Sequence, residues 1–193
     1  MNLEPLTSYF SKYIPLNEEE VAFLKTVVTE KNVKRRQLIL KQGDVCLFNS
    51  FVVKGCFRMY MVDGNGKEHN LQFAIEDGWI LDMDSFYSEK PGKLYIEALE
   101  NSIIYQIKKE GQLKLYINLP KFNHIFRVLC ENAYISSQRR VLQNISSTAE
   151  ERYLDFINRY PLLVNRISNV QIASFLGVTP EFLSVIRSRL VKP

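Results

Sequence analysis

Apolar positions recur at three and four residues near both ends of the chain and alternate in between, and this change of period divides it. From Leu16-Asn-Glu-Glu-Glu to Lys31 the spacing predicts a helix with Val21, Leu24 and Val28 on one side. After Lys34-Arg-Arg the pattern shortens. Gln37-Leu-Ile-Leu-Lys runs into a turn at Gln42-Gly-Asp44, and Phe48 to Val53 reads as a strand meeting Lys54-Gly55. Cys56 to Val62 alternates into Asp63-Gly-Asn-Gly66, a strong hairpin signal, and Lys67 to Phe73 returns. Further strands are expected at Leu94–Leu99 and Ser102–Ile107, around a turn at Glu100-Asn101. Many short strands between glycine turns suggest a small barrel or jelly roll, which closes on itself and so leaves no sheet edge exposed.

From about Gln112 the period returns to that of a helix. The run from Lys121 to Asn144 carries Phe122, Ile125, Phe126, Leu129, Ala133, Val141 and Leu142, interrupted at Ser136-Ser-Gln138. Its apolar face must be buried, and both the chain's own barrel and a second copy are available to cover it. Ser147 or Thr148 is placed to cap a helix over Ala149–Tyr160, which Pro161 ends. Three parts are therefore expected: residues 1–111, a connector over 112–146, and a helical unit over 147–193.

The most informative stretch is Ser168 to Leu190. Ser168 and Gln171 have capping-box spacing, Ile172 and Leu176 share a face, and Ala173 sits where a crossing helix must approach closely. Gly177 suits a left-handed turn; Thr179 and Pro180 then suit the cap and first turn of a second helix. Leu183, Ile186 and Leu190 should face inward. Thr179, Pro180, Glu181, Ser184, Arg187, Ser188 and Arg189 are the candidates for the outer face. Two short helices hinged at glycine form a helix-turn-helix, whose second helix enters the DNA major groove.

Charge supports that division. Residues 1–111 hold 14 Lys+Arg and 16 Asp+Glu, a net of −2, whereas residues 112–193 hold 11 and 5, a net of +6. A basic C-terminal part suits contact with phosphates. Cys46, Cys56 and Cys130 are too dispersed for a metal site or disulfide framework and read as buried free thiols. No signal peptide or membrane-length apolar run is visible, so a cytoplasmic protein without membrane contact is expected. Asp82 and Asp84 with His69 are the best argument for an enzyme, and they lack any nucleophile arrangement. No catalytic residue, metal or cofactor is expected.

The strands with their Gly-Asp turn, the long helix, and Glu151-Arg-Tyr-Leu followed by Gln171-Ile-Ala-Ser-Phe-Leu-Gly-Val-Thr-Pro-Glu-Phe-Leu-Ser resemble the cyclic-AMP-receptor/Fnr (Crp/Fnr) family, closest to its short Bacteroidetes branch. In the barrel, Gln42-Gly-Asp44, Val53-Lys-Gly55 and Ala98-Leu-Glu-Asn-Ser102 carry the likeness. The resemblance implies an α+β fold: an N-terminal cyclic-nucleotide-binding-like barrel, a long dimerisation helix, and a C-terminal helix-turn-helix with its wing absent or minimal. It implies a homodimer on double-stranded DNA, with a small-molecule effector and RNA polymerase as further partners. Phe122, Ile125, Phe126, Leu129 and Ala133 would form the dimer seam.

Departures from the family pattern narrow these expectations. Cyclic-nucleotide binders hold ribose and phosphate with a Gly-Glu pair and an Arg-Ser or Arg-Thr pair. The corresponding stretch here is Trp79-Ile-Leu-Asp-Met-Asp-Ser-Phe86, then Pro91-Gly-Lys-Leu-Tyr95, with no arginine between Arg58 and Arg127. A cyclic phosphate needs a forked donor that lysine replaces poorly, so no cyclic AMP binding is expected. Trp79, Phe86, Lys93 and Tyr95 are the candidates for a different pocket, with core filling the alternative for the aromatics and a solvated turn for Lys93. In the second helix Pro180 and Val185 stand where the family carries arginines, so its usual operator is not expected. Three scattered cysteines disfavour an iron–sulfur cluster, and neither His69 nor His124 sits in a haem motif.

Overall fold

The computed structural model describes residues 1–191. Eight strands form two antiparallel four-stranded sheets. β1 (Val28–Val33), β8 (Ser102–Lys108), β3 (Phe48–Lys54) and β6 (Trp79–Ile80) are neighbours in that order; the second sheet runs β2 (Leu38–Leu40), β7 (Tyr95–Ala98), β4 (Phe57–Val62), β5 (Glu68–Ala74). Between the sheets, Val52, Phe57, Ile80, Phe86, Ile96 and Ile104 are almost completely buried. The β4–β5 hairpin forms where Asp63-Gly-Asn-Gly66 predicts it. The Asp63 carboxylate accepts from the N–H groups of Asn65 and Lys67 at 2.9 and 3.0 Å, and Gly66 takes φ 80°.

The first helix is shorter than its periodicity suggests. α2 (Glu18–Val27) starts at a capping box between Asn17 and Glu20, but Val28 is already extended at φ −97°, ψ 137°. Residues 28–33 pair with β8 at every position, so tertiary pairing overrides the helical pattern that continues to Lys31. α1 (Glu4–Ser11) escapes sequence reading because a single buried i, i+4 pair, Leu6 and Phe10, is its only periodic signal. The short helix α3 (Met83–Ser88) is begun by Asp82, whose Oδ1 accepts from the Ser85 N–H at 3.2 Å.

α4 (Lys109–Asn118) spans the boundary between residues 111 and 112, and α5 (Lys121–Ser146) follows. A second core lies outside the sandwich, where α1, α2, α4 and the first half of α5 cover Phe51, Tyr105 and Ile107. α6 (Ala149–Arg159), α7 (Asn169–Leu176) and α8 (Pro180–Val191) form the C-terminal unit. Its core joins Tyr153, Phe156, Ile172, Leu176, Leu183 and Ile186, and extends to Cys56 of the barrel. Leu190 differs from expectation: it is 39% exposed and is not part of that core. Cys46 and Cys56 are buried, but Cys130 is exposed on α5. Any wing after the second helix would fall beyond Val191, outside the described residues.

Candidate nucleic-acid interface and effector barrel

The local chemistry of the two-helix segment forms as its sequence demands. Ser168 Oγ accepts from the Gln171 N–H at 3.3 Å while the Ser168 N–H donates to Gln171 Oε1 at 3.0 Å. Gly177 adopts φ 70°, and the chain bends by 98° between α7 and α8. Thr179 Oγ1 accepts from the Phe182 N–H at 3.2 Å, and Leu183 and Ile186 pack inward. Glu181, Ser184, Ser188 and Arg189 are exposed along α8, with Pro180 and Arg187 half-buried beside them and Thr179 exposed at its start. Arg187 donates to Asn169 Oδ1, so this guanidinium is tied back to α7. Ser184 and Ser188 donate to the carbonyls of Pro180 and Ser184 at 3.0 and 2.9 Å. Phe182 and Val185 stand exposed on the same helix at 47% and 44%, an apolar element that helix periodicity alone did not flag.

α7 is docked on β5 of its own chain. Ser174 Oγ accepts from the Asn70 N–H at 3.0 Å and donates to the Glu68 carbonyl at 2.9 Å; Asn70 Nδ2 donates to the Gln171 carbonyl at 3.2 Å. Phe73 and Phe175 pack with ring centres 5.4 Å apart. Arg166 forks onto Glu76 at 2.7 and 3.1 Å and reaches Glu100 at 2.5 Å. Burial alone would raise the Glu76 carboxyl, but Arg166 and the Gly55 N–H hold it at about 2. From α5, Arg140 donates to the Leu71 carbonyl and lies 4.6 Å above the Phe175 ring. Burial pulls its guanidinium below the usual range. Sequence reading missed Arg140 and Arg166, because nothing local reveals a partner roughly seventy or ninety residues away.

The expected dimer seam needs correction. Phe122, Ile125 and Phe126 are buried inside their own chain, with Phe10–Phe122 and Trp79–Phe126 ring centres 5.3 and 5.7 Å apart. Leu129 is half-buried against the same cluster and Ala133 is exposed. The apolar face left uncovered belongs to the second half of α5: Tyr134, Ile135, Val141, Leu142 and Ile145 are 68, 49, 55, 58 and 79% exposed. The apolar spacing resumes beyond the interruption at Ser136-Ser-Gln138, and the docked N-terminal helices decide which half is already covered.

The pocket candidates do not converge. Phe86 is 1% exposed and fills the barrel interior, whereas Trp79 lies in the outer core against Phe10 and Phe51. Tyr95 stacks on Tyr60 at 5.1 Å beneath Arg58, and Lys93 is exposed. The turn over residues 82–92 is packed against its own chain. A Cβ on Gly92 would lie 2.5 Å from the buried Asp82 carboxylate. Gly92 exchanges backbone bonds of 2.9 Å with Gly43 and Asp44, while Ser85 Oγ donates to the Lys90 carbonyl at 2.6 Å. A phosphate there would meet a carboxylate and no forked cation. Asp82 serves as a helix cap and His69 bonds Asp63 at 2.8 Å, so they do not form the acid–base pair considered from sequence. Among the described residues, no group of three His, Cys, Asp or Glu could hold a metal ion, and no single helix is long and apolar enough to cross a membrane.

Residues 30–118 match the cyclic nucleotide-binding domain family. The architecture of the chain is similar to that of solved Crp/Fnr-type structures. FixK2 from Bradyrhizobium japonicum superposes with a TM-score of 0.74 at 19% identity, over 85% of this chain and 84% of that one. A CooA mutant from Carboxydothermus hydrogenoformans gives 0.76 at 15% identity, over 100% and 85%. A putative Crp/Fnr-family regulator from Eubacterium rectale gives 0.70 at 16%, over 96% and 88%. No curated protein matches the sequence. The likeness of fold thus extends over both the barrel and the C-terminal helices.

Proposed function

We propose that this chain is a sequence-specific DNA-binding transcription regulator of the Crp/Fnr type that acts as a homodimer and does not respond to cyclic AMP. The observation that carries the reading is the glycine-hinged pair α7–α8, with Glu181, Ser184, Ser188 and Arg189 exposed along the second helix. Glu181 is suited to accept from cytosine N4, and Arg189 to contact backbone phosphate. The uncovered face of α5 from Tyr134 to Ile145 supports a second copy packed along the helix. Double-stranded DNA and a second protomer are the partners this reading requires; a small effector and RNA polymerase fit it as further ones. The three-part division at 111 and 146 belongs to the same reading.

Selection of bound fragments from a random duplex pool tests it. Enrichment of a two-fold-related sequence, with affinity falling steeply as salt rises, is expected. Failure to enrich any sequence, together with no duplex binding at low salt, refutes it. A second reading, a sensor or scaffold that keeps the fold without binding DNA, draws on the exposed Phe182 and Val185 and on Arg187 being tied to Asn169. It gains from that negative result.

A further inference from the structure

The outward direction of α8 is set by what it buries. Leu183 and Ile186 are 0 and 2% exposed and join the core of the C-terminal unit. At roughly 100° per residue, the face opposite them carries Glu181, Ser184, Val185 and Ser188, with Phe182 and Arg189 together on one flank. Most of the polar side chains on or beside this face are already committed. Ser184 and Ser188 give their hydroxyl protons to the carbonyls of Pro180 and Ser184 in their own helix, at 3.0 and 2.9 Å. Arg187 donates to Asn169 Oδ1 on α7. The outward charges that remain are Glu181 and Arg189. Between them stands Val185, 44% exposed, with Phe182 47% exposed one turn earlier. A single exposed valine is ordinary. This one has a short serine on either side, and an open groove runs over Ser184, Val185, Ser188 and Arg189.

We propose that Val185 reads the 5-methyl group of thymine in the major groove, so that each half-site of the bound duplex carries a thymine facing this groove. The inference rests on the DNA-binding reading and names the base that α8 selects. Among the four bases, thymine alone presents a methyl group on its major-groove edge, and apolar side chains recognise it by contact. Val185 supplies the contact, the two serines leave the methyl room to enter, and Phe182 shields the flank from water. Guanine is not selected at that position, because its O6 and N7 call for a forked cation. Arg187 is tied to α7 and Arg189 lies on the flank. Glu181, one turn before Val185, is an acceptor. It favours the N4 amine of a nearby cytosine and is repelled by the acceptor edge of guanine. The half-site is therefore expected to combine a thymine with a cytosine within a pair or two of it.

The test uses the full chain and a duplex taken from the random-pool selection. Each thymine common to the selected half-sites is replaced by deoxyuridine, which removes the 5-methyl group and keeps the base pair. At one such position, replacement in both half-sites should weaken wild-type binding by about fourfold per half-site, the worth of one buried methyl, and so by roughly fifteenfold in total. Val185→Ser should bind the thymine and deoxyuridine duplexes equally, and Val185→Thr, which keeps the shape and one methyl, should retain part of the difference. Equal thermal midpoints for wild type and both variants establish that the fold is kept. Deoxyuridine outside the half-sites should change nothing. Three results each overturn the proposal and leave the regulator reading intact: selected half-sites without a thymine, equal wild-type affinity for both duplexes, or a deoxyuridine loss as large in Val185→Ser as in wild type. A pool that enriches no duplex sinks the regulator reading and this proposal with it.

Discussion

The Arg166 fork is the most quantifiable contact between the barrel and the C-terminal helices, and it has a pH signature. Substituting Arg166→Gln removes three charge-assisted contacts to Glu76 and Glu100. The Glu76 carboxyl stands at about 2 instead of 4.5, a shift that at full strength is worth roughly 3 kcal/mol. Glu76 is 41% exposed and Arg166 23%, so solvent screening reduces this to about 1 kcal/mol, with the Glu100 contact adding a few tenths. A carboxyl whose pKa is depressed by folding stabilises the protein above its unfolded value. That contribution is lost as pH falls through the folded value, here between about 4.5 and 2, with less than half of it left by about pH 3. Urea denaturation of wild type and R166Q at pH 7 and pH 3 therefore should give a difference of about 1 kcal/mol that shrinks by more than half in acid. A difference below about 0.3 kcal/mol at pH 7 would show the fork to be ornamental. One that is equal at both pH values would show that Arg166 acts by packing and not by charge.

Four further outcomes are expected. Phe86→Ala, at a site 1% exposed between the sheets, should cost about 3–5 kcal/mol in denaturant unfolding, since the barrel interior has no slack to refill it. Calorimetric titration with cyclic AMP should show no micromolar binding, because Asp82 and Gly92 close the turn; a specific micromolar heat would refute the closed-turn argument. Leu142→Asp with Ile145→Asp should convert a dimer to monomer in sedimentation at micromolar protein without lowering the thermal midpoint, as both side chains are exposed in the single chain. Gly177→Ala should lose about 1 kcal/mol although space for the Cβ is open, because φ is 70°; a neutral result would contradict the left-handed turn.

The legible parts were those governed by short-range chemistry. The caps at Ser168 and Thr179, the left-handed Gly177, and the Asp63-Gly-Asn-Gly66 hairpin form because each needs partners only a few residues away. The misread positions involve competition between partners distant in sequence. Val28–Lys31 has helical spacing yet joins β8, and Phe122–Phe126 has a dimer-like stripe that α1 and α2 already cover. Trp79, Phe86 and Tyr95 lie close together in sequence but fall into an outer core, an inner core and a surface stack.

By itself the sequence determined the two-helix hinge, the strand-rich barrel and the basic character of residues 112–193, since hydrophobic period, turn chemistry and formal charge are local properties. Only the tertiary structure decided which half of α5 remains free and that Gly92 packs against the Asp82 carboxylate. Those outcomes depend on which surfaces meet first and exclude water. No window along the chain contains both sides of such a contact.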